Sequence, residues 1–100
     1  MTLTTWDLVA ETKEWVGPIT VTVNDVAVTD FQVCVMDGQA RPTGWAAADY
    51  DPDHPGETAG VLVGAGTPWT LIPGHVYTIF VKYTDNPESP VLRAGRISAT

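Results

Sequence analysis

Apolar and polar side chains alternate with a period of two along much of the chain, and this spacing predicts β-strands. The alternation is clearest over 75–84, where Tyr77, Ile79 and Val81 are expected to share the inward face of one strand. Further strands are predicted over 19–23, 26–36, 40–48, 60–64 and 91–99. No stretch shows the 3.6-residue period of an amphipathic helix, so we predict an all-β protein.

Turn signals separate the predicted strands. Asp37-Gly38 is the strongest of them, and the 8 prolines and 9 glycines fall at strand-like intervals. Within 26–36 the apolar phase slips by one residue near Thr29-Asp30, which indicates a bulge or bend. We therefore predict six to eight short antiparallel strands, which bury their apolar faces by packing as two sheets.

One local motif favours an immunoglobulin-like version of this β-sandwich. Leu71, Pro73-Gly74 and Tyr77 have the spacing of a tyrosine corner, in which a phenol at the start of a late strand bonds to backbone a few residues upstream. The alternative is an ordinary Pro-Gly turn followed by a buried tyrosine.

Composition sets bounds on partners and compartment. The chain has 100 residues, 44% of them hydrophobic, which suits one domain with its own core. Its formal charge of −7 disfavours binding to nucleic acid or to anionic membranes. No run approaches the roughly 20 apolar residues of a membrane span, and the first five residues lack the features of a secretory signal. We expect a soluble protein made in the cytoplasm.

Candidate chemistry is sparse. The acidic segment 49–57 opens like a calcium loop, but His54 and Gly60 stand where that loop needs Gly and Glu, so a solvated loop is the favoured interpretation. His54 and His75 are not in a metal-binding spacing. The single cysteine, Cys34, lies in an apolar run and is expected to act as a small hydrophobe. We predict no catalytic site, no metal site and no cofactor.

Aromatic residues are the candidate partner-binding groups. Residues 1–17 hold Trp6 and Trp15 without clean alternation, so they form either a first strand or an arm laid on another subunit, with the sandwich domain at 18–100. The arm alternative predicts that a chain without 1–17 still folds but no longer joins its assembly, whereas a first strand predicts that it unfolds. Alternation turns Phe80 outward, where it is either exposed or covered by a loop. Trp45 and Tyr50, beside the acidic segment, could stack on a carbohydrate.

Several segments together resemble one family, the LtfC-like small β-sandwich virion proteins of tailed phages that infect actinobacteria. They are 17–23 (GPITVTV), 28–33 (VTDFQV), 71–74 (LIPG), 77–81 (YTIFV), 84–91 (TDNPESPV) and 94–97 (AGRI). The resemblance covers roughly 17–98, and its motifs are turns and strands rather than catalytic signatures. It implies a non-enzymatic virion protein and transfers no catalytic residues.

The size of the chain helps to choose among the roles that the resemblance implies. A single sandwich of 100 residues suits a repeated capsid-decorating or minor capsid unit, with the major capsid protein or other virion proteins as partners. Self-association as a homo-oligomer is left open. A neck or tail position, including a host-surface carbohydrate-binding module, is the alternative.

Overall fold

The chain folds entirely as β-structure in the parts described by the computed structural model, which are residues 4–19, 21–23, 26–28, 31–38, 42, 44–50, 59–83 and 91–100. The strands are β1 (Thr4–Leu8), β2 (Glu14–Val16), β3 (Val21–Val23), β4 (Val26–Val28), β5 (Gln32–Asp37), β6 (Ala46–Ala47), β7 (Asp49–Tyr50), β8 (Ala59–Val63), β9 (Val76–Lys82) and β10 (Val91–Ala99). β6 and β7 have only two residues each, so the longer strands match the predicted number. The described chain contains no helix able to cross a membrane.

The strands form two main sheets and a separate hairpin. One sheet has five strands in the order β1-β10-β9-β5-β6, and the other has three in the order β2-β8-β7. β3 and β4 pair with each other. The pairs are antiparallel except β1 with β10, which run parallel. The orders β2-β8-β7 and β5-β9-β10 are those of strands B-E-D and C-F-G in an immunoglobulin-like domain.

Side chains from both main sheets meet in one hydrophobic core. Val16, Val61 and Val63 enter it from the three-stranded sheet and are at most 1% exposed. Ile79 and Ile97 enter it from the five-stranded sheet and are fully buried. Each such side chain contributes about 1.5–3 kcal/mol of hydrophobic stabilisation. The predicted all-β sandwich is therefore confirmed, and Tyr77, Ile79 and Val81 share the inward face as expected.

Two predicted segments have a different structure from the one expected. The run 26–36 is divided between β4 in the hairpin and β5 in the five-stranded sheet, so the slip in its phase accompanies a change of sheet. Thr29-Asp30, where the bulge was predicted, lies outside the described residues. Asp49-Tyr50, expected in a loop, pairs as β7 with β8 at the edge of the three-stranded sheet.

Residues of the N-terminal segment belong to both main sheets. β1 pairs along its whole length with the end of β10, from Thr4 opposite Gly95 to Leu8 opposite Ala99. β2 pairs with β8 in the other sheet. Because 4–8 and 14–16 supply one strand to each sheet, the described part of 1–17 is built into the sandwich.

The tyrosine corner is formed. The hydroxyl oxygen of Tyr77 accepts a hydrogen bond of 2.8 Å from the backbone N–H of Ile72, five residues upstream. This bond fixes the connection between β8 in one sheet and β9 in the other, at the turn where Gly74 has a φ of 87°. The tyrosine-corner interpretation of Leu71 to Tyr77 is therefore correct.

Replacing Tyr77 by Phe tests the energetic role of this corner. The substitution keeps the buried ring but removes the acceptor for the Ile72 N–H. We expect the free energy of unfolding to fall by about 1–2 kcal/mol, since a part-buried donor loses its partner. Urea denaturation monitored by tryptophan fluorescence measures this change. Tyr83→Phe, one residue after the end of β9 and packed against the same core, is the control, and an equal loss there would contradict the assignment.

Candidate functional site

The two N-terminal tryptophans pack within the sandwich. Trp6 projects from β1 onto the core and is only partly buried. Trp15, on β2, donates its indole N–H to the carbonyl oxygen of Asp49 over 3.1 Å. Its ring lies against Gly17 and Gly60, where an added Cβ would come within 2.7 Å of indole carbons. Both indoles therefore have positions that serve the fold.

Trp45 lies beside a lysine on the outward side of the five-stranded sheet. The Nζ of Lys82 is 4.7 Å from the centroid of the Trp45 ring, which is cation–π geometry. Both side chains are partly buried. The backbone of Tyr50 pairs with Ala59 in β7, and its side chain lies outside the described residues. The structure therefore describes the Trp45 side chain of the predicted carbohydrate-binding site. The Tyr50 side chain and residues 51–57 of the acidic segment lie outside the described part of the chain.

Phe80 is buried although it points away from the main core. It lies on the outward face of β9, directly opposite Cys34 of β5, and is 6% exposed. Cys34 and Thr78 on the same face are also buried. Of the two alternatives for Phe80, the structure has the covered one. Alternation identifies the face correctly but does not reveal that this part of the outward face is covered.

A small depression opens between β6–β7 and the turn that follows β8. Its cavity volume is about 160 Å³, and it is lined by Lys13, Ala46, Ala47, Asp49, Leu62, Gly66, Thr67, Pro68 and Trp69. Asp49 holds one wall in place, since its Oδ2 accepts a 2.9 Å bond from the backbone N–H of Leu62. The depression combines a carboxylate, an ammonium group and an indole, but it is smaller than the roughly 300 Å³ of an ordinary small-molecule pocket.

The turn beside this depression is held by its own hydrogen bonds. The N–H of Gly64 donates to the carbonyl of Trp69 over 2.8 Å. The hydroxyl of Thr67 donates to the carbonyl of Gly64 over 2.8 Å and accepts from the N–H of Trp69 over 3.2 Å. This threonine therefore fixes the position of Trp69 relative to β8.

A histidine and an aspartate meet where the turn before β9 reaches the end of β5. The Nδ1 of His75 is 2.7 Å from Oδ2 of Asp37, and the imidazole stacks on the ring of Tyr77 with 6.4 Å between centroids. The hydroxyl groups nearby on β9 make backbone hydrogen bonds, since that of Tyr77 accepts from the N–H of Ile72 and that of Thr78 donates to the carbonyl of Gly38 over 2.5 Å. The pair joins the turn before β9 to the end of β5.

Metal-binding geometry is not found in the described part of the chain. Those residues contain no group of three or more His, Cys, Asp or Glu side chains that could hold an ion. Asp51, Asp53, His54 and Glu57 of the predicted acidic loop lie outside the described residues. Calcium binding by that loop therefore stays a prediction.

Two exposed arginines form a surface feature that the sequence reasoning missed. Arg93 lies opposite Phe80 and Arg96 lies opposite Thr78, so both arginines are on the outward face of β10. A one-residue register shift between Arg93 and Gly95 makes this arrangement possible. A sequence signal did exist. Counting back by two from the inward-facing Ile97 would place Arg93 in the core, which predicts a bulge between them.

Comparison with protein-family models, with curated proteins and with solved structures finds no match to this chain.

Proposed function

We propose that the chain is a non-enzymatic structural protein of a tailed-phage virion, and that it binds the capsid lattice as a decoration or minor capsid protein. The observation that carries this proposal is that the polar side chains of the candidate site make hydrogen bonds that hold the fold together. Asp49, Trp15 and Thr67 make hydrogen bonds that join strands and turns. His75 and Tyr77 do the same at the corner.

The physical properties of the fold suit such a role. Its core is built from apolar side chains of two sheets, and the single cysteine of the chain, Cys34, cannot form an intrachain disulfide, so the fold does not depend on one. A formal charge of −7 on 100 residues disfavours random self-association before assembly. The sequence resemblance over 17–98 supplies the particular class, the LtfC-like virion proteins.

Quantitative mass spectrometry of purified particles tests the proposal. The particles come from a phage whose genome encodes this chain, and its copy number is compared with that of the major capsid subunit. We expect a ratio near one chain per capsid subunit or per capsomer. A ratio of only a few per cent would contradict the capsid position and favour the neck or tail. Absence from washed particles would contradict any virion role.

The depression beside Trp69 favours a second candidate, a carbohydrate-binding module at a neck or tail position. An indole next to a carboxylate and an ammonium group is the combination that sugar-binding sites use for stacking and hydroxyl contacts. A glycan array on the purified chain tests this function. Binding must also shift the NMR signals of Thr67 and Trp69, since shifts elsewhere or an array without hits would contradict it.

A further inference from the structure

Three basic side chains share one face of this acidic protein. Three of the five basic residues, Lys82, Arg93 and Arg96, lie on the outward face of β9 and β10. Lys82 is partly buried against Trp45, whereas Arg93 and Arg96 are exposed. Among the described residues, His75 lies within ion-pair distance of Asp37. Neither Arg93 nor Arg96 has an acidic side chain at that distance within the same residues. Within the part of the chain that the structure describes, no acidic side chain therefore occupies either guanidinium group.

The bulge in β10 sets the spacing of the two arginines. Their partners Phe80 and Thr78 are two residues apart on β9, so Arg93 and Arg96 are also separated by one two-residue step of the sheet. That step is about 6.6–6.8 Å. Without the bulge, residues three apart would point to opposite faces. Thr5 of β1 lies beside Arg96 in the parallel pairing and is exposed, so it adds a hydroxyl to the same surface.

We propose that this surface, formed by Arg93, Arg96 and Thr5 and named here the arginine face, binds an extended acidic segment of a partner protein. In an extended strand, alternate side chains share one face and are spaced by the same two-residue step. Asp or Glu at alternate positions would therefore place one carboxylate over each guanidinium. Each such pair forms two parallel charge-assisted hydrogen bonds, a geometry that arginine provides and lysine does not.

The charge distribution favours a short acidic segment over a nucleic acid. The whole chain, with both arginines counted, has a formal charge of −7, so a long polyanion would meet an excess of acidic residues beyond the arginine face. A short segment responds mainly to groups within the screening length of about 8–10 Å. Asp7, exposed on β1 two residues beyond Thr5, limits the face at one end. This inference does not rest on the virion proposal, because it concerns partner chemistry alone.

Two synthetic peptides of identical composition test the spacing. One alternates Glu and Thr over eight residues. The other groups its four Glu residues in pairs as a repeated Glu-Glu-Thr-Thr, so that no two Glu residues are two positions apart and share a face at that step. Binding to the full chain is measured by fluorescence anisotropy of labelled peptide at low and at physiological salt. We expect the alternating peptide to bind more tightly than the grouped one, and both to weaken with added salt. Equal binding of the two peptides would overturn the spacing argument.

Single charge-removing variants then locate the site. We expect Arg93→Gln and Arg96→Gln each to weaken binding of the alternating peptide by about two- to fivefold, the range for one exposed ion pair. Lys13→Gln, which removes an equal charge from an exposed residue elsewhere, is the matched control and should leave binding unchanged. An equal loss in Lys13→Gln would show a non-specific charge effect and overturn the proposal. Tighter binding of a duplex DNA of matched charge would overturn it as well.

Discussion

A chain that begins at residue 18 is expected to be unfolded at room temperature. Such a truncation removes β1 and β2, and with them one strand from each main sheet. Val16 is 1% exposed and Trp6 and Leu8 pack on the core, so the loss of hydrophobic stabilisation is roughly 5 kcal/mol or more. Since small domains are stable by only about 5–15 kcal/mol, this loss removes most or all of the net stability.

Backbone pairing at the other end of the chain strengthens this expectation. The N–H of Thr100 donates to the carbonyl of Leu8 over 2.8 Å, and the N–H of Ala10 donates to the carbonyl of Thr100 over 3.0 Å. β1 is also the parallel neighbour of the last half of β10. Without it, the backbone groups along that edge would lose their protein partners, and β10 would become an edge strand open to pairing with another chain.

Circular dichroism and one-dimensional NMR of the truncated chain measure the outcome. A cooperative thermal transition near that of the full chain would contradict the expectation and support an arm that is separable from the sandwich.

A pair of substitutions tests the same segment without truncation. Val16→Ala should cost about 2–3 kcal/mol because it leaves a cavity in the core, whereas Val9→Ala, at a position 51% exposed, should change stability by less than about 0.5 kcal/mol.

Local sequence patterns predicted the parts of the fold that depend on neighbouring residues. The alternation of Tyr77, Ile79 and Val81 identified their shared face because a pleated strand turns successive side chains to opposite sides. The tyrosine corner was predictable for a similar reason, since Pro73-Gly74 and Tyr77 specify a turn within a few residues.

Long-range pairing could not be predicted in the same way. The parallel pairing of β1 with β10 joins the two ends of the chain. The residue pattern of each strand does not indicate which other strand it pairs with. The candidate site shows the same limit. Alternation assigned Phe80 to the outward face, but its burial depends on segments distant in sequence. Arg93 and Arg96 share a face because β10 contains a bulge. The inward position of Ile97 indicates such a bulge, and the structure places it between Arg93 and Gly95.

A substitution of Gly64 by Ala is expected to be among the most destabilising single changes in the chain. Gly64 directly follows β8 and has a φ of 101°, a left-handed conformation that costs an L-residue about 1–2 kcal/mol. An added Cβ would also collide with the backbone carbonyl of Thr12, whose carbon would be 2.9 Å away. Because both atoms belong to backbone, neither can rotate aside. We expect a loss of at least about 4 kcal/mol, which places it in the tail of single-substitution effects.

Gly66→Ala is the matched control, because it separates the collision from the backbone conformation. Gly66 lies in the same turn with a φ of 79°, but an added Cβ there meets nothing within 4 Å. It should therefore cost only the conformational term of about 1–2 kcal/mol. In thermal denaturation, Gly64→Ala should lower the Tm by roughly 15 °C or more, and Gly66→Ala by about a third of that. Similar shifts for the two variants would mean that β8 and the segment at Thr12 can move apart without cost, and that the close contact between them does not hold the sandwich together.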